Sequence, residues 1–334
     1  MTAGVYLDTY LSALAPWLTR DDVTDLLINR PGEVWIETTS GMLTRINAPQ
    51  VTEVVLSRLA HQIAAATHQG VNREQPLLSA TLPDGGRVQI IAPPATRAGM
   101  ALAIRKHVIS DMSVDDLAAT GLFAEEASNP RRTARDSDLA ALLKSGDKTG
   151  FLKEAVRAKK TIVISGGTST GKTTLLNALV QEIDTNERLL VIEDAPEIRL
   201  DRPNAVGLIA VRGEQGEAQV DADDLLRASL RMRPDRILLG ELRGKEAFAF
   251  LRAVNSGHPG SITTVHADSP EGAIDQIALL AMTSGLDLGW SQIQNYVRRV
   301  IDVIVQLDRQ NGKRRVSDIQ FLNGETAMPS AAND

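Results

Sequence analysis

The sequence predicts an α/β protein in two parts: a doubly wound C-terminal domain with a mostly parallel sheet, preceded by a smaller mixed α+β domain. Three observations carry this expectation. After Phe151, apolar runs of four to six residues alternate with helical stretches, at Thr161–Ser165, Leu189–Glu193, Arg236–Glu241, Ser261–Thr264 and Val300–Leu307. Buried parallel strands with crossover helices have this pattern. The first of those runs leads into a glycine-rich loop and then a helix-like run. Before residue 124, short strand-like segments are instead mixed with helical ones. At 334 residues, 43% hydrophobic and 23% charged, the chain is long enough for two cores.

Leu7, Leu11, Leu14 and Leu18 stand at helical spacing with Tyr10 and Trp17 beside them, which predicts an amphipathic first helix. Its apolar face suits either packing in a core or docking on a membrane or partner surface. Val23–Ile28 and Glu33–Glu37 are strand-like, and Asn29-Arg-Pro-Gly32 between them suits a turn. A helical stretch runs from Val51 to His68. Leu82-Pro-Asp-Gly-Gly86 punctuates before the strand Arg87–Ile91, and Met100–Arg105 is predicted as its neighbour. Residues 1–123 thus form the N-terminal domain. From Ala124 to Gly150 the text turns polar, with one apolar patch at Leu139–Leu143, and is expected to be a linker. Residues 151–334 form the second domain.

Composition excludes several classes. No stretch approaches the ~18 apolar residues of a spanning helix, and no Lys or Arg precedes Arg20 as a signal peptide requires, so a cytoplasmic location is expected. Without cysteine there is no disulfide, thiolate zinc site or cysteine nucleophile, and His61, His68, His107, His258 and His266 lack metal-ligand spacing. The net charge of −6 is shared by both halves, which disfavours nucleic-acid binding through bulk charge; no sequence-specific nucleic acid is expected.

The strongest motif is Gly166-Gly167-Thr168-Ser169-Thr170-Gly171-Lys172-Thr173, followed by Thr174, which fits G-x-x-x-x-G-K-[ST] between a β-branched strand and a helix. Glycines are needed because backbone N–H groups close around phosphate oxygens where a Cβ would intrude. The helix behind the loop directs its N-terminal dipole at the anion. Lys172 is expected to reach the β and γ phosphates of ATP, and Thr173 to hold Mg²⁺ through its hydroxyl. Two later strands end in acids where ligands of parallel sheets sit: Glu193, Asp194 and Glu197 after the first, Glu241 after the second. Glu197 is the choice for orienting or deprotonating water, while Glu193 and Glu241 act through magnesium or its shell. His266, at the end of a further strand, is placed to sense the γ-phosphate or donate to it.

In this order the motifs resemble the hexameric traffic ATPases of type IV secretion and conjugation, the VirB-eleven type. The resemblance rests on the 166–173 loop, Ile192-Glu-Asp-Ala-Pro-Glu-Ile198, the block Leu230–Arg243, the stretch Asn255–Ala267, and upstream on Leu82–Ile90 and Ala103–Lys106. It implies a RecA-like motor domain joined to the N-terminal domain, with nucleotide between them and six subunits in a ring. It also implies work at the cytoplasmic face of the inner membrane, with other ATPases and inner-membrane components as partners, driving substrate passage or pilus assembly. By this resemblance Lys172 and Thr173 match the Walker A pair, Glu197 the acidic-box glutamate, Glu241 the Walker B glutamate and His266 the histidine box. Arg87 and Arg105 match N-terminal-domain arginines that approach the phosphates. The loop departs from the common Gly-Ser-Gly-Lys form in reading Ser169-Thr170-Gly171. A pilus motor, a DNA translocase and a nucleotide-gated partner switch with little turnover are the alternatives.

Overall fold

Five antiparallel pairings between neighbouring apolar runs build the N-terminal half. The computed structural model describes residues 7, 9–107, 113–119, 123, 130–211, 216–285 and 287–322. Strands β1 (Val23–Ile28), β2 (Gly32–Thr38), β3 (Leu43–Ala48), β4 (Leu77–Thr81), β5 (Arg87–Ile91) and β6 (Ala101–Arg105) form one sheet in the order β3-β2-β1-β6-β5-β4. Helix α1 (Ala15–Leu18) precedes it, α2 (Glu53–Ala66) crosses it, and α3 (Val114–Ala119) comes after it. Thr52 caps α2 by accepting the Val55 N–H. Leu26 and Ile28 of β1 pack with Leu56, Leu59 and Ile63 of α2, whereas Leu27 faces the other way, with Trp35, Ile91, Ala101 and Ala103. A sheet buried on both faces explains why β1 ends in Leu26-Leu27-Ile28 without alternation. Leu7, Leu14 and Trp17 are buried in the α2-side core, so the N-terminal leucines serve packing.

The segment 124–150, expected as a linker, is described from residue 130. Residues 124–129 lie outside the described residues, but from 130 onward the chain is helical, with α4 (Pro130–Lys144) and α5 (Lys148–Arg157) separated by a short turn. Leu139, Leu142 and Leu143 stand at helical spacing, and Leu139 is 1% exposed against Phe151 and its neighbours. One short stripe is enough for a helix that is otherwise polar. Asp147 then caps α5, accepting the Gly150 N–H at 2.8 Å.

The C-terminal half is a seven-stranded sheet in the order β13-β12-β7-β11-β10-β8-β9. Its strands are β7 (Ile162–Gly166), β8 (Leu189–Glu193), β9 (Ala205–Ile209), β10 (Arg236–Leu239), β11 (Ile262–Val265), β12 (Val303–Gln310) and β13 (Lys313–Phe321). All pairings are parallel except that of β13 with β12. Helices α6 (Lys172–Gln181), α7 (Ala222–Ser229), α8 (Glu246–Asn255), α9 (Pro270–Met282) and α10 (Trp290–Val300) complete it. No helix among the described residues is long and apolar enough to cross a membrane.

The two halves meet in a common core cluster. Val206, Leu208, Ala210 and Val220 of the C-terminal half pack in the same cluster as Leu27, Trp35, Ile91 and Ala101. The loop between β5 and β6 lies along edge strand β9: the Arg97 N–H donates to Gly207 O and the Ile209 N–H to Ala95 O, both at 2.9 Å. Behind it Arg188, fully buried, donates to Asn29, to Asn204 at 2.9 Å and to Met232 O at 2.9 Å. Burial pushes its guanidinium down to about 9. Arg233 forks onto Glu37. Strand β9 and this loop together close the sheet edge that would otherwise stand open.

Candidate nucleotide site

Strand β7 lies inside the parallel sheet and ends in the glycine loop, so the loop sits at the carboxyl edge where parallel strands present ligands. Gly166 cannot carry a side chain, since a Cβ would stand 2.6 Å from Thr170 Oγ1 and 2.8 Å from Leu307 O. Gly171 has φ +97° and Ser169 adopts φ +62°, a left-handed conformation uncommon outside glycine. Thr170 Oγ1 donates to Gly167 O at 2.9 Å and closes the turn. Helix α6 starts at Gly171 with no side-chain cap, which leaves its first-turn amides to whatever occupies the loop.

Lys172 Nζ donates to Gly166 O at 2.8 Å, to Gly167 O at 3.1 Å and to His266 Nδ1 at 3.1 Å. An ammonium can only donate, so Nδ1 accepts and a neutral imidazole carries its proton on Nε2. That nitrogen is 2.8 Å from Glu241 Oε1. Glu241 also accepts from Arg243 Nε at 2.5 Å, and Arg243 Nη1 reaches Asp194 Oδ2 at 3.3 Å. Burial lowers the Lys172 pKa, with Glu241 opposing it; the bond to Glu241 holds Arg243 above its ordinary value. The phosphate loop and three strand ends are thus joined in one chain of contacts: Lys172, neutral His266, Glu241, Arg243, Asp194. Thr264 Oγ1 donates to Gly240 O at 2.8 Å and fixes β11 beside β10.

Glu193 ends β8 with its side chain almost wholly buried. Its Oε1 accepts the N–H groups of Glu197 at 3.0 Å and Ile198 at 2.8 Å, and its Oε2 pairs with Arg97. Asn177 of α6 holds the same turn, donating to Glu197 O at 3.1 Å and accepting the Arg199 N–H at 2.7 Å. The Glu197 residue is exposed on the wall of a cavity of about 660 Å³, together with Thr168–Thr174, Glu193, Glu241, Arg243, His266 and Arg314. This volume is of ligand-site size. The Thr173 hydroxyl and the Glu241 carboxylate on this wall are hard oxygen donors, the kind that Mg²⁺ takes.

Arg87 and Arg105 lie elsewhere. They face each other across the β5–β6 pair and line a second cavity of about 350 Å³ with Arg231, Ser79 and Gln69. Arg105 Nε donates to Asp25 Oδ1 at 2.9 Å, and Arg231 Nη1 to Ser79 Oγ at 3.1 Å. Within one chain neither lines the loop cavity. Sequence reasoning missed Arg97, Asn177, Arg243 and Arg314, whose Nε donates to Ser169 O at 3.1 Å. Only Arg243, two residues beyond Glu241, had a positional signal.

A glycine loop between a central strand and a helix, faced by carboxylates from adjacent strand ends, defines a P-loop ATPase of RecA-like fold. The chain belongs to the type II/IV secretion system protein family, whose family model matches residues 11–333. It is 39% identical over 328 residues to the type IV secretion system protein VirB11 of Bartonella quintana, covering 94% of this chain and 92% of that one. With PtlH of Bordetella pertussis, also a type IV secretion system protein, it is 41% identical over 335 residues, covering 95% and 96%. The crystal structure of the Brucella suis VirB11 ATPase in complex with sulphate superposes with a TM-score of 0.90 at 36% identity, covering 96% and 95%. By family, fold and loop the chain is a secretion ATPase.

Proposed function

We propose that the chain hydrolyses ATP with magnesium as the motor of a type IV secretion or conjugation system, in a ring of six at the cytoplasmic face of the inner membrane. Other ATPases and inner-membrane components of the machine are its partners. The observation that carries this reading is the Lys172–His266–Glu241 contact, which joins the phosphate loop to two other strand ends. Lys172 neutralises phosphate charge, and the amides of Gly167–Thr174 hold the phosphate oxygens. Thr173 and Glu241 would hold the magnesium ion, which would supply charge stabilisation at the phosphates. Glu197 orients the attacking water, and His266 passes the state of the γ-phosphate to Glu241.

Arg87 and Arg105 take their phosphate-facing role on a nucleotide held by a neighbouring copy. Two arginines directly opposed on adjacent strands repel each other, an arrangement suited to an anion between or above them. Steady-state phosphate release tests the whole reading. Wild-type protein should turn over ATP only with magnesium present, and Lys172→Ala should abolish turnover while remaining folded. Absent turnover in the wild type would instead favour a partner switch. A mixture of Lys172→Ala and Arg105→Ala copies should regain turnover, because assembly sets an intact arginine pair beside an intact loop. A dead mixture would refute action between copies.

A further inference from the structure

The turn from Glu193 to Ile198 carries Glu197 and is gripped from both sides. From within the C-terminal half, Glu193 Oε1 accepts the amides of Glu197 and Ile198. From the N-terminal half, Arg97 pairs with Glu193 Oε2, and its Nη1 donates to Ile198 O at 2.8 Å. Arg97 reaches this place because its backbone is clipped to Gly207 and because Gly207 has no side chain. A Cβ at 207 would lie 2.4 Å from Arg97 Cδ. The guanidinium is thus threaded past the sheet edge to a carboxylate buried at the end of β8.

We propose that Arg97 is a positioning residue for ATP hydrolysis: by neutralising Glu193 it keeps that carboxylate as the clamp of the 193–198 turn, and so aims Glu197 at the cavity. A buried carboxylate that loses its counter-charge either takes up a proton or swings out, and either change releases amides it was holding. Glu193 on this account ligates no ion; its work is done on the backbone of Glu197. The inference rests on the reading of Glu197 as the residue that orients water.

The test is a set of variants read by kcat and by the KM for ATP. Arg97→Ala should lower kcat about tenfold or more through misplacement of Glu197, while KM changes much less. A second change, Glu193→Gln, should restore most of that loss. A neutral amide oxygen still accepts the two N–H groups and needs no counter-charge. Rescue separates positioning from a mere joint between the halves, which the second change would not repair. Should Arg97→Ala fail to fold, Arg97→Gln carries the same comparison, since it keeps the stem over Gly207 and a donor for Ile198 O. Near-normal kcat in the arginine variant, or a loss that Glu193→Gln leaves unrepaired, overturns the proposal. Glu197→Gln is measured in parallel. If it turns over normally, the reading of Glu197 has failed; if it is inactive while Arg97→Ala is normal, only the role of Arg97 has.

Discussion

At the scale of single residues, the phosphate loop was legible and its supports were not, for a physical reason. Phosphate binding by backbone amides needs glycines and a lysine at fixed spacing within one turn of chain, so Gly166, Gly171 and Lys172 carry their chemistry in contiguous text. Arg97 and Glu193 meet only because a loop docks on a sheet edge, and Gly207 makes room for the side chain. No local pattern encodes that. Gly207→Ala should therefore act at a distance from the nucleotide: displacing Arg97 should cost about 1–3 kcal/mol of stability in a denaturant titration and lower turnover as Arg97→Ala does. A fall in stability with unchanged turnover would separate the two effects. Glu197→Gln should bind ATP and fail to release phosphate, a trapped state visible as retained nucleotide after gel filtration; its absence would move the water-orienting role to another acid.

Among the elements, the buried strands were the easiest to anticipate. β7, β8 and β10 to β12 lie inside the parallel sheet and are apolar on both faces, so each stands out as a run. β13 escapes sequence reasoning because it is an outer strand whose text opens Lys313-Arg-Arg and whose residues are mostly exposed. β9 is an edge strand with Gly207 at its centre, which breaks its apolar run. Helix α4 reads as linker because its polar residues outnumber a single leucine stripe. That stripe bears the packing: Leu139→Ala should destabilise the protein by about 2–5 kcal/mol, measured by thermal or chemical unfolding. A loss below about 1 kcal/mol would mean that α4 contributes little to the core.

For the molecule as a whole, the shared core and the buried Arg188 make the N-terminal and C-terminal halves one packed unit. A donor–acceptor pair of dyes at exposed positions on the two halves, such as residues 42 and 279, should give the same transfer with ADP as with a non-hydrolysable ATP analogue. A clear change would show that the shared core opens. The β5–β6 hairpin then acquires a thermodynamic meaning. It carries Arg87 and Arg105 at one end and, in the loop at its other end, the Arg97 that grips Glu193. At about 3.4 Å per residue, five residues of strand place these ends roughly 17 Å apart. Anions that bind the arginine pair more tightly in one setting of the hairpin favour the matching setting of the Glu197 turn. By linkage the coupling is reciprocal: occupancy of the loop cavity must alter anion affinity at the arginine pair by the same factor.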